Sequence, residues 1–560
     1  MPSVAAGTNA GGPSKAMPGA GWALALLLGI NLFNYIDRQI LSAALPKIKR
    51  DATIFPDPHD RWTNTKLGAL TTAFMVAYMC LSPVFGRLGD TMSRWVLVGI
   101  AVILWSLATG GTGLATGGTG LVTGYLILFF TRCLVGVGEA AYGPVAPAML
   151  SDMYPVDHRG RVMAWFYMAI PVGSALGFVI GSQVADTSLG WRGAFYLAVI
   201  PGIAMGVLCF FMKEPPRVHG PNPPAPFPGK EGGADQSPSP LGGGVGEGSP
   251  SPHTPSYWAV LRELKLNRSF VLCCAGMTAS TFVLGGVATV MQLYVFEREA
   301  RFTLDAKAID RLRTEERFQR SDGNRTVPAD VVNKLAAPAG LDSLTLAQFE
   351  ERLKGTPAAP GLLSEDEFAL HRADILDASP AEGSMTNKTI GTYIGAIVVV
   401  SGLVATLLGG VLGDYLRKRG VRGAYFKVAG WGMMVAFPFF LTMLFVPFPL
   451  AWVMLFVAVF FLFFNTGPAN TILANVTRSE IRATAFAINI LVIHAFGDAV
   501  SPLIIGFVSD LSSLHTAFVG VSLLIPVSGV LWIWGAKHLE EDTARAEAEV
   551  TAPSPPAPAM

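Results

Sequence analysis

Residues Gly29–Pro46 read GINLFNYIDRQILSAALP, an apolar helical run that carries Asp37 and Arg38 side by side near its middle. At helical spacing Asn31, Asn34 and Arg38 share one face, in steps of three and four, with Asp37 at its edge. The run is long and apolar enough to enter a bilayer, where a charge at mid-depth costs about 2.5–3.5 kcal/mol. Two adjacent charges there need a partner or a water-filled cavity. A signal peptide is the weaker reading of Trp22–Phe33, because the polar run up to Arg38 follows instead of a small-residue cleavage site.

The rest of the chain agrees with a membrane protein. Of its 560 residues 51% are hydrophobic and 14% charged, against about 25% charged in soluble domains. A net charge of +1 gives no sign of a nucleic-acid partner. Cys80, Cys133, Cys209, Cys273 and Cys274 all lie in apolar segments without metal-ligand spacing, so they read as packing residues. No metal, no cofactor and no catalytic residue is expected. There is no phosphate-binding loop and no nucleophile elbow, so energy should come from a gradient and the chain should not be an enzyme.

Apolar stretches of spanning length recur at approximately 20–45, 66–86, 95–115, 121–151, 162–184, 192–212, 268–295, 388–414, 424–446, 449–475, 482–508 and 514–536. The expected fold class is therefore an all-α membrane protein of twelve transmembrane helices in two six-helix halves. The domain reading is a disordered tail at 1–19, a bundle at 20–212, and a Pro/Gly-rich linker with an amphipathic helix at 213–267. A second bundle follows at 268–536, then a tail at 537–560. The polar insertion at 297–387 carries short helical patterns, LTLAQFEERL and SEDEFALHRADIL, and reads as a weakly structured cap. Arg417, Lys418, Arg419, Arg422 and Lys427 in one short loop mark a cytoplasmic side. That places both termini inside and the insertion outside, against the basic residues Lys47, Lys49, Arg50, Arg61 and Lys66 of the first loop. A multi-pass protein of a cell membrane, of the bacterial inner-membrane kind, and a monomer is the expectation.

The halves repeat each other. Gly86-Arg-Leu-Gly-Asp90 after the second span matches Gly410-Val-Leu-Gly-Asp414 after the eighth, and Arg159 corresponds to Arg482. Parallel repeats of this kind place a substrate site between the halves. The glycines suit a tight turn and the acids a helix start; Arg94 and Arg417 follow. The motif reads either as a structural turn or as a latch that holds the halves in one state.

Through Gly86, Gly89, Asp90 and Arg94, and more loosely Gly410, Gly413, Asp414 and Arg417, the chain resembles the major facilitator superfamily. Narrower segments are FNYIDRQILSAALP, TRCLVGVGEAAYGP, EPPR at 214–217, GMTASTFVLGG, and NTGPANTILANV through RATAFAINILVIHAFGDAVSPLIIGFVSD. These look like the spinster branch, whose animal members export lysophospholipids and sphingosine phosphate. The resemblance covers all twelve spans and neither long insertion.

Span four adds Arg132 and Glu139, two helical turns apart on one face. They are too distant to pair, but both can point into one cavity. Arg132 is a candidate partner for Asp37 or for a phosphate-like group. Burial makes Glu139 a candidate proton carrier. The resemblance implies that Asp37, Arg38, Arg132 and Glu139 form the cluster for proton coupling and head-group handling; the competing reading is an ion-pair network that only fixes helix packing. His494 and Asp498, with Asn34, Thr281, Asn465 and Asn470, are secondary cavity candidates. The expectation is a secondary transporter, coupled to protons, for an amphiphilic or anionic solute such as a lysolipid. Alternatives are a carrier of small organic anions of the sugar-acid type, or a membrane receptor that uses the insertion.

Overall fold

The computed structural model describes residues 16–57, 60–116, 124–154, 156–214, 257–315, 318–319, 326–336, 341–356, 359–478 and 481–551. The N-terminal tail to residue 15, the linker from 215 and the last nine residues lie outside the described residues. Among those described, twelve helices are long and apolar enough to cross a membrane. They fall on the twelve expected stretches.

The first half contains α1 (Ala20–Ile48), α2 (Thr63–Thr91), α3 (Arg94–Gly113), α4 (Gly124–Met153), α5 (Val156–Ala185) and α6 (Gly190–Cys209). Pro46, Pro83, Pro144, Pro147, Pro171 and Pro201 all stand inside these helices. A membrane helix tolerates them because neighbouring helices and local adjustments satisfy the freed carbonyls. The short amphipathic α7 (Tyr257–Leu266) precedes α8 (Arg268–Glu299), and its Glu263 pairs with Arg478.

The insertion folds into a compact cap, not the weakly structured one its composition suggested. It contains β1 (Arg301–Leu304), α9 (Ala306–Thr314), α10 (Ala329–Ala336), β2 (Leu341–Thr345), α11 (Leu346–Lys354), the two-residue strands β3 (Gly355–Thr356) and β4 (Ala359–Pro360), and α12 (Glu365–Ala378). β1 and β2 pair antiparallel, with Phe302 opposite Leu344. Capping boxes at Thr345/Gln348 and Ser364/Glu367 start α11 and α12. Phe302, Leu312, Phe349, Leu353, Phe368 and Ile375 are buried together as its core.

The second half continues with α13 (Asn387–Lys418) and α14 (Ala424–Phe445), then three interrupted spans. These are α15 (Leu450–Phe463) with α16 (Thr466–Asn475), α17 (Arg482–Ile493) with α18 (Ser501–Leu511), and α19 (Leu514–Ser522) with α20 (Leu524–Gly535). The turn joining α17 to α18, His494–Asp498, is π-helical and bends at Gly497 (φ −103°, ψ −106°). A final helix, α21 (Leu539–Thr551), docks back on the bundle: Asp542 is buried and accepts from the Ser269 N–H at 2.8 Å.

Packing follows the repeat. α1 packs on α5, α2 on α4 and α3 on α6; correspondingly α8 meets the α17–α18 turn, α13 meets α15 and α14 meets α20. The halves join through α2 against α18 and its repeat image α5 against α13, with α1 against α8 between them. At the end that carries the cap the halves are also joined by hydrogen bonds. There the Asp510 carboxylate accepts from the Asn64 and Thr65 N–H groups, at 2.9 and 2.6 Å. Gln292 and Asn387 both donate to the Ala43 carbonyl, at 3.3 and 3.1 Å.

The repeated loop motif departs from expectation. Gly86, Gly89 and Asp90 lie within α2, and Gly410, Gly413 and Asp414 within α13, so the glycines make no turn and the acids stand near helix ends. The glycines allow close packing instead. A Cβ on Gly89 would lie 2.8 Å from Val145, and one on Gly413 2.5 Å from the Tyr425 ring. Asp414 accepts from the Tyr425 hydroxyl at 2.7 Å and Arg417 lies over the same ring, all within one half. The side chains of Asp90, Arg159 and Arg482 lie outside the described residues.

Glu214 performs the helix-start chemistry for α3. It accepts from Ser93 Oγ at 2.8 Å and from the Arg94 N–H at 3.1 Å, while Arg94 also pairs with Asp152 at 2.6 Å. Burial raises the Glu214 carboxyl, but the hydrogen bonds from Ser93, Arg94 and Trp95 outweigh it and hold the group below its ordinary value of 4.5. A carboxyl held down in the folded state stabilises the fold above its unfolded value and loses that contribution as pH falls through the folded one. The melting temperature of the detergent-purified chain should therefore drop on acidification below pH 4.5, and Glu214→Gln should flatten that part of the curve. Parallel curves for the two proteins would remove the assignment.

Candidate functional site

Arg38 leaves α1 toward the space between the halves. Its Nε and Nη2 both donate to Oε2 of Glu139 on α4, at 2.8 and 2.6 Å. About a fifth of the Arg38 side chain is exposed (21%), and none of Glu139 (0%). The second carboxylate oxygen of Glu139 is buried without a hydrogen-bond partner. Three rings surround the guanidinium: Tyr35, Phe74 and Tyr78, with centroids 5.0, 4.9 and 5.4 Å from Cζ. Aromatic faces hold a cation without neutralising it.

Asp37 points elsewhere. It lines a crevice between α1, α3 and α6 with Trp105 and Ser106, and its Oδ2 accepts from Thr109 Oγ1 at 2.5 Å. Arg132 donates instead to Thr112 Oγ1 at 3.0 Å and lies against the Phe195 ring. Asp37 and Arg132 each hydrogen-bond a threonine and interact by charge without direct contact, and the direct ion pair of the cluster is Arg38–Glu139. Asp37 Oδ1 and Arg132 Nε are both buried without hydrogen-bond partners.

A cavity of about 180 Å³ lies between the halves. Tyr35, Arg38, Phe74 and Arg132 line it from the first half; Gly285, Thr289 and Asp498 line it from the second. Asp498 bonds His494 Nδ1 at 2.9 Å, and the His494 ring meets Tyr78 edge to face at 6.4 Å. Two titratable pairs therefore face one space from opposite halves, with Tyr78 between them. The π-helical turn that carries the second pair is a local departure of the kind that recurs at functional sites.

The other candidates, Asn34 excepted, serve packing. Asn31 donates to the Phe166 carbonyl at 2.8 Å, while buried Asn34 belongs to the site, lying against the Glu139 carboxylate. Thr281 packs on the bend at Gly497. Asn465 and Asn470 donate to carbonyls of their own span, Leu462 and Thr466, at 2.6 and 3.0 Å. Neither lines the cavity. Tyr35, Phe74 and Tyr78 were not singled out in the sequence; the signal was present as Phe74 and Tyr78 at i, i+4.

Two repeat-related six-helix bundles joined around one charge-lined cavity are the build of a membrane transporter. The chain belongs to the Major Facilitator Superfamily, whose sequence profile matches residues 27–306, and within it the chain is spinster-like. It is 26% identical to protein spinster homolog 1 of Xenopus laevis, over 93% of this chain and 81% of that protein. It is 27% identical to protein spinster homolog 3 of Danio rerio, over 94% and 86%. Among solved structures, a bacterial homolog of the human lysosomal transporter spinster, inward-facing and unoccupied, superimposes with a TM-score of 0.62 at 16% identity, covering 94% of this chain and 99% of that one. A D-xylose–proton symporter superimposes with a TM-score of 0.54 at 14% identity, covering 91% and 96%.

Proposed function

We propose that this chain is a proton-coupled secondary transporter that works by alternating access on an amphiphilic or anionic organic solute, such as a lysophospholipid or sphingolipid. The observation that carries this reading is the Arg38–Glu139 pair. A fully buried carboxylate is bonded to a guanidinium that three rings hold in place. Protonating Glu139 releases Arg38 to the cavity, and an anionic head group can then take the place of the carboxylate. Arg132, with its unpartnered Nε, adds a second donor. Gly285, Ala288 and Thr289 of the second half receive the rest of the solute, with Asp498 at their edge.

The cap end is read as extracytoplasmic, with both termini inside. Three of the five basic residues that argued against this are paired with carboxylates of the same end: Lys47 with Asp186 and Asp377, Lys49 with Glu297, and Lys66 with Asp60. Their charge is offset locally, whereas Lys418, Arg419 and Arg422 at the other end include exposed side chains. In this orientation the halves are joined at the outer end.

A small organic anion is the second reading, favoured by the cavity volume of about 180 Å³, which encloses a sugar-acid-sized solute and only the head of a lipid. A thermal-shift panel of lysophospholipids, sphingoid phosphates and organic acids on the purified chain separates the two. Arg132→Ala should weaken binding of the anionic members about tenfold, the scale of one charge-assisted contact, and leave neutral analogues unchanged. An equal loss for both classes would exclude head-group recognition.

A further inference from the structure

The cap end holds a second cavity, of about 250 Å³, where the cap, the end of α1 and the start of α13 meet. Arg50 forms part of its wall. The Arg50 side chain is 3% exposed. Its Nε donates to the Pro46 carbonyl at 2.6 Å, but Nη1 and Nη2 are both buried without a hydrogen-bond partner. The Phe296 ring covers the guanidinium at 4.6 Å and fixes its plane. Asp377 forms a long ion pair with Nη1, at 3.9 Å and beyond hydrogen-bond reach, and is also held by Lys47 at 2.6 Å.

A buried guanidinium with both terminal nitrogens unmet is costly. Its two N–H groups form the planar fork that grips an oxyanion bidentately. The charge balance points the same way: Lys47, Arg50, Arg311 and Lys388 line the cavity against two carboxylates, Asp186 and Asp377.

We propose that this cavity binds a phosphate or carboxylate group toward which the Arg50 guanidinium turns, bringing Nη1 and Nη2 out of their buried position, with Lys388 supplying further positive charge. The volume accepts a small organic anion or one head group, not a lipid tail. The site is built from α1 of the first half, the start of α13 of the second, and the cap. An occupant therefore binds best when these parts are together and stabilises the closed cap end by its differential affinity. The site is separate from the central cavity, and the inference does not rest on what that cavity carries.

The test uses the full-length purified chain in detergent. Its melting temperature and heats of binding are measured with sodium phosphate, sodium acetate and lysophosphatidate. Phosphate should raise the melting temperature by mass action. Arg50→Gln should abolish the response to phosphate, and Lys388→Glu should weaken binding about tenfold. A response to phosphate or acetate assigns the site to free anions; a response to lysophosphatidate alone, lost in Arg50→Gln, assigns it to a lipid head group. Either result supports the site. No response to any probe would overturn it, as would a response that survives both Arg50→Gln and Lys388→Glu. If Arg50→Gln does not purify, Lys388→Glu decides, because Lys388 is exposed and its replacement leaves the fold intact.

Discussion

Glu139→Gln is expected to fold and purify like the parent and to reduce uptake driven by a pH gradient to the level of empty proteoliposomes. Glutamine keeps the volume and an oxygen for Arg38 but can neither take up nor release a proton. The unbalanced guanidinium is tolerated, since 21% of its side chain is exposed and three rings hold it. Solute exchange without a gradient should persist, which separates lost coupling from lost binding. Unchanged pH-driven uptake would remove Glu139 from the coupling step. The reciprocal variant behaves differently. Arg38→Ala strips the counter-charge from a fully buried carboxylate, and breaking a buried pair from one side costs about 3–5 kcal/mol. It should lower the melting temperature well below that of Glu139→Gln. If the two variants melt together, the asymmetry in their burial has no energetic weight.

The fold was legible because bilayer spans need long apolar runs, and twelve such runs with a repeated motif leave few architectures. The charged cluster was legible for the opposite reason: each of its members is expensive in an apolar helix. Its pairing was not. Neighbouring residues on a helix diverge by about 100°, so which of Asp37 and Arg38 faces the cavity depends on how α1 is rotated against α4 and α5. Arg38 faces the cavity, and Asp37 falls between α3 and α6. The helix-start acids were misplaced because capping depends on where a helix ends in space. Asp510, from the far half of the sequence, serves α2, while Asp90 sits near a helix end. The cap escaped because its core residues are sparse among charges, and β1 meets β2 only after an intervening 36 residues.

Gly68→Leu is expected to abolish transport while each half keeps its own packing. A Cβ on Gly68 would stand 2.1 Å from the Pro502 carbonyl oxygen and 2.6 Å from its carbon. Both are backbone atoms, so no rotamer change relieves the clash, and α2 must move away from α18. That displacement also pulls Asn64 and Thr65 from the Asp510 carboxylate, which accepts from both N–H groups and from Thr65 Oγ1. Trp62, the residue preceding α2, offers no cap of its own. The cap end therefore loses its closure at one of two repeat-related joints, while α5 against α13 remains. Asp510→Ala should act in the same direction more mildly, because it removes hydrogen bonds to a charged group worth about 1.5–3 kcal/mol each without a steric clash. Spin labels at the exposed positions Arg61 and Leu511 report the change. The inter-label distance should lengthen in both variants, and more in Gly68→Leu. Because the alternating access proposed for this chain requires this end to close in every cycle, transport should fall in the same order as the distance rises. An unaltered distance distribution in Gly68→Leu would show that α2 and α18 do not form the gate.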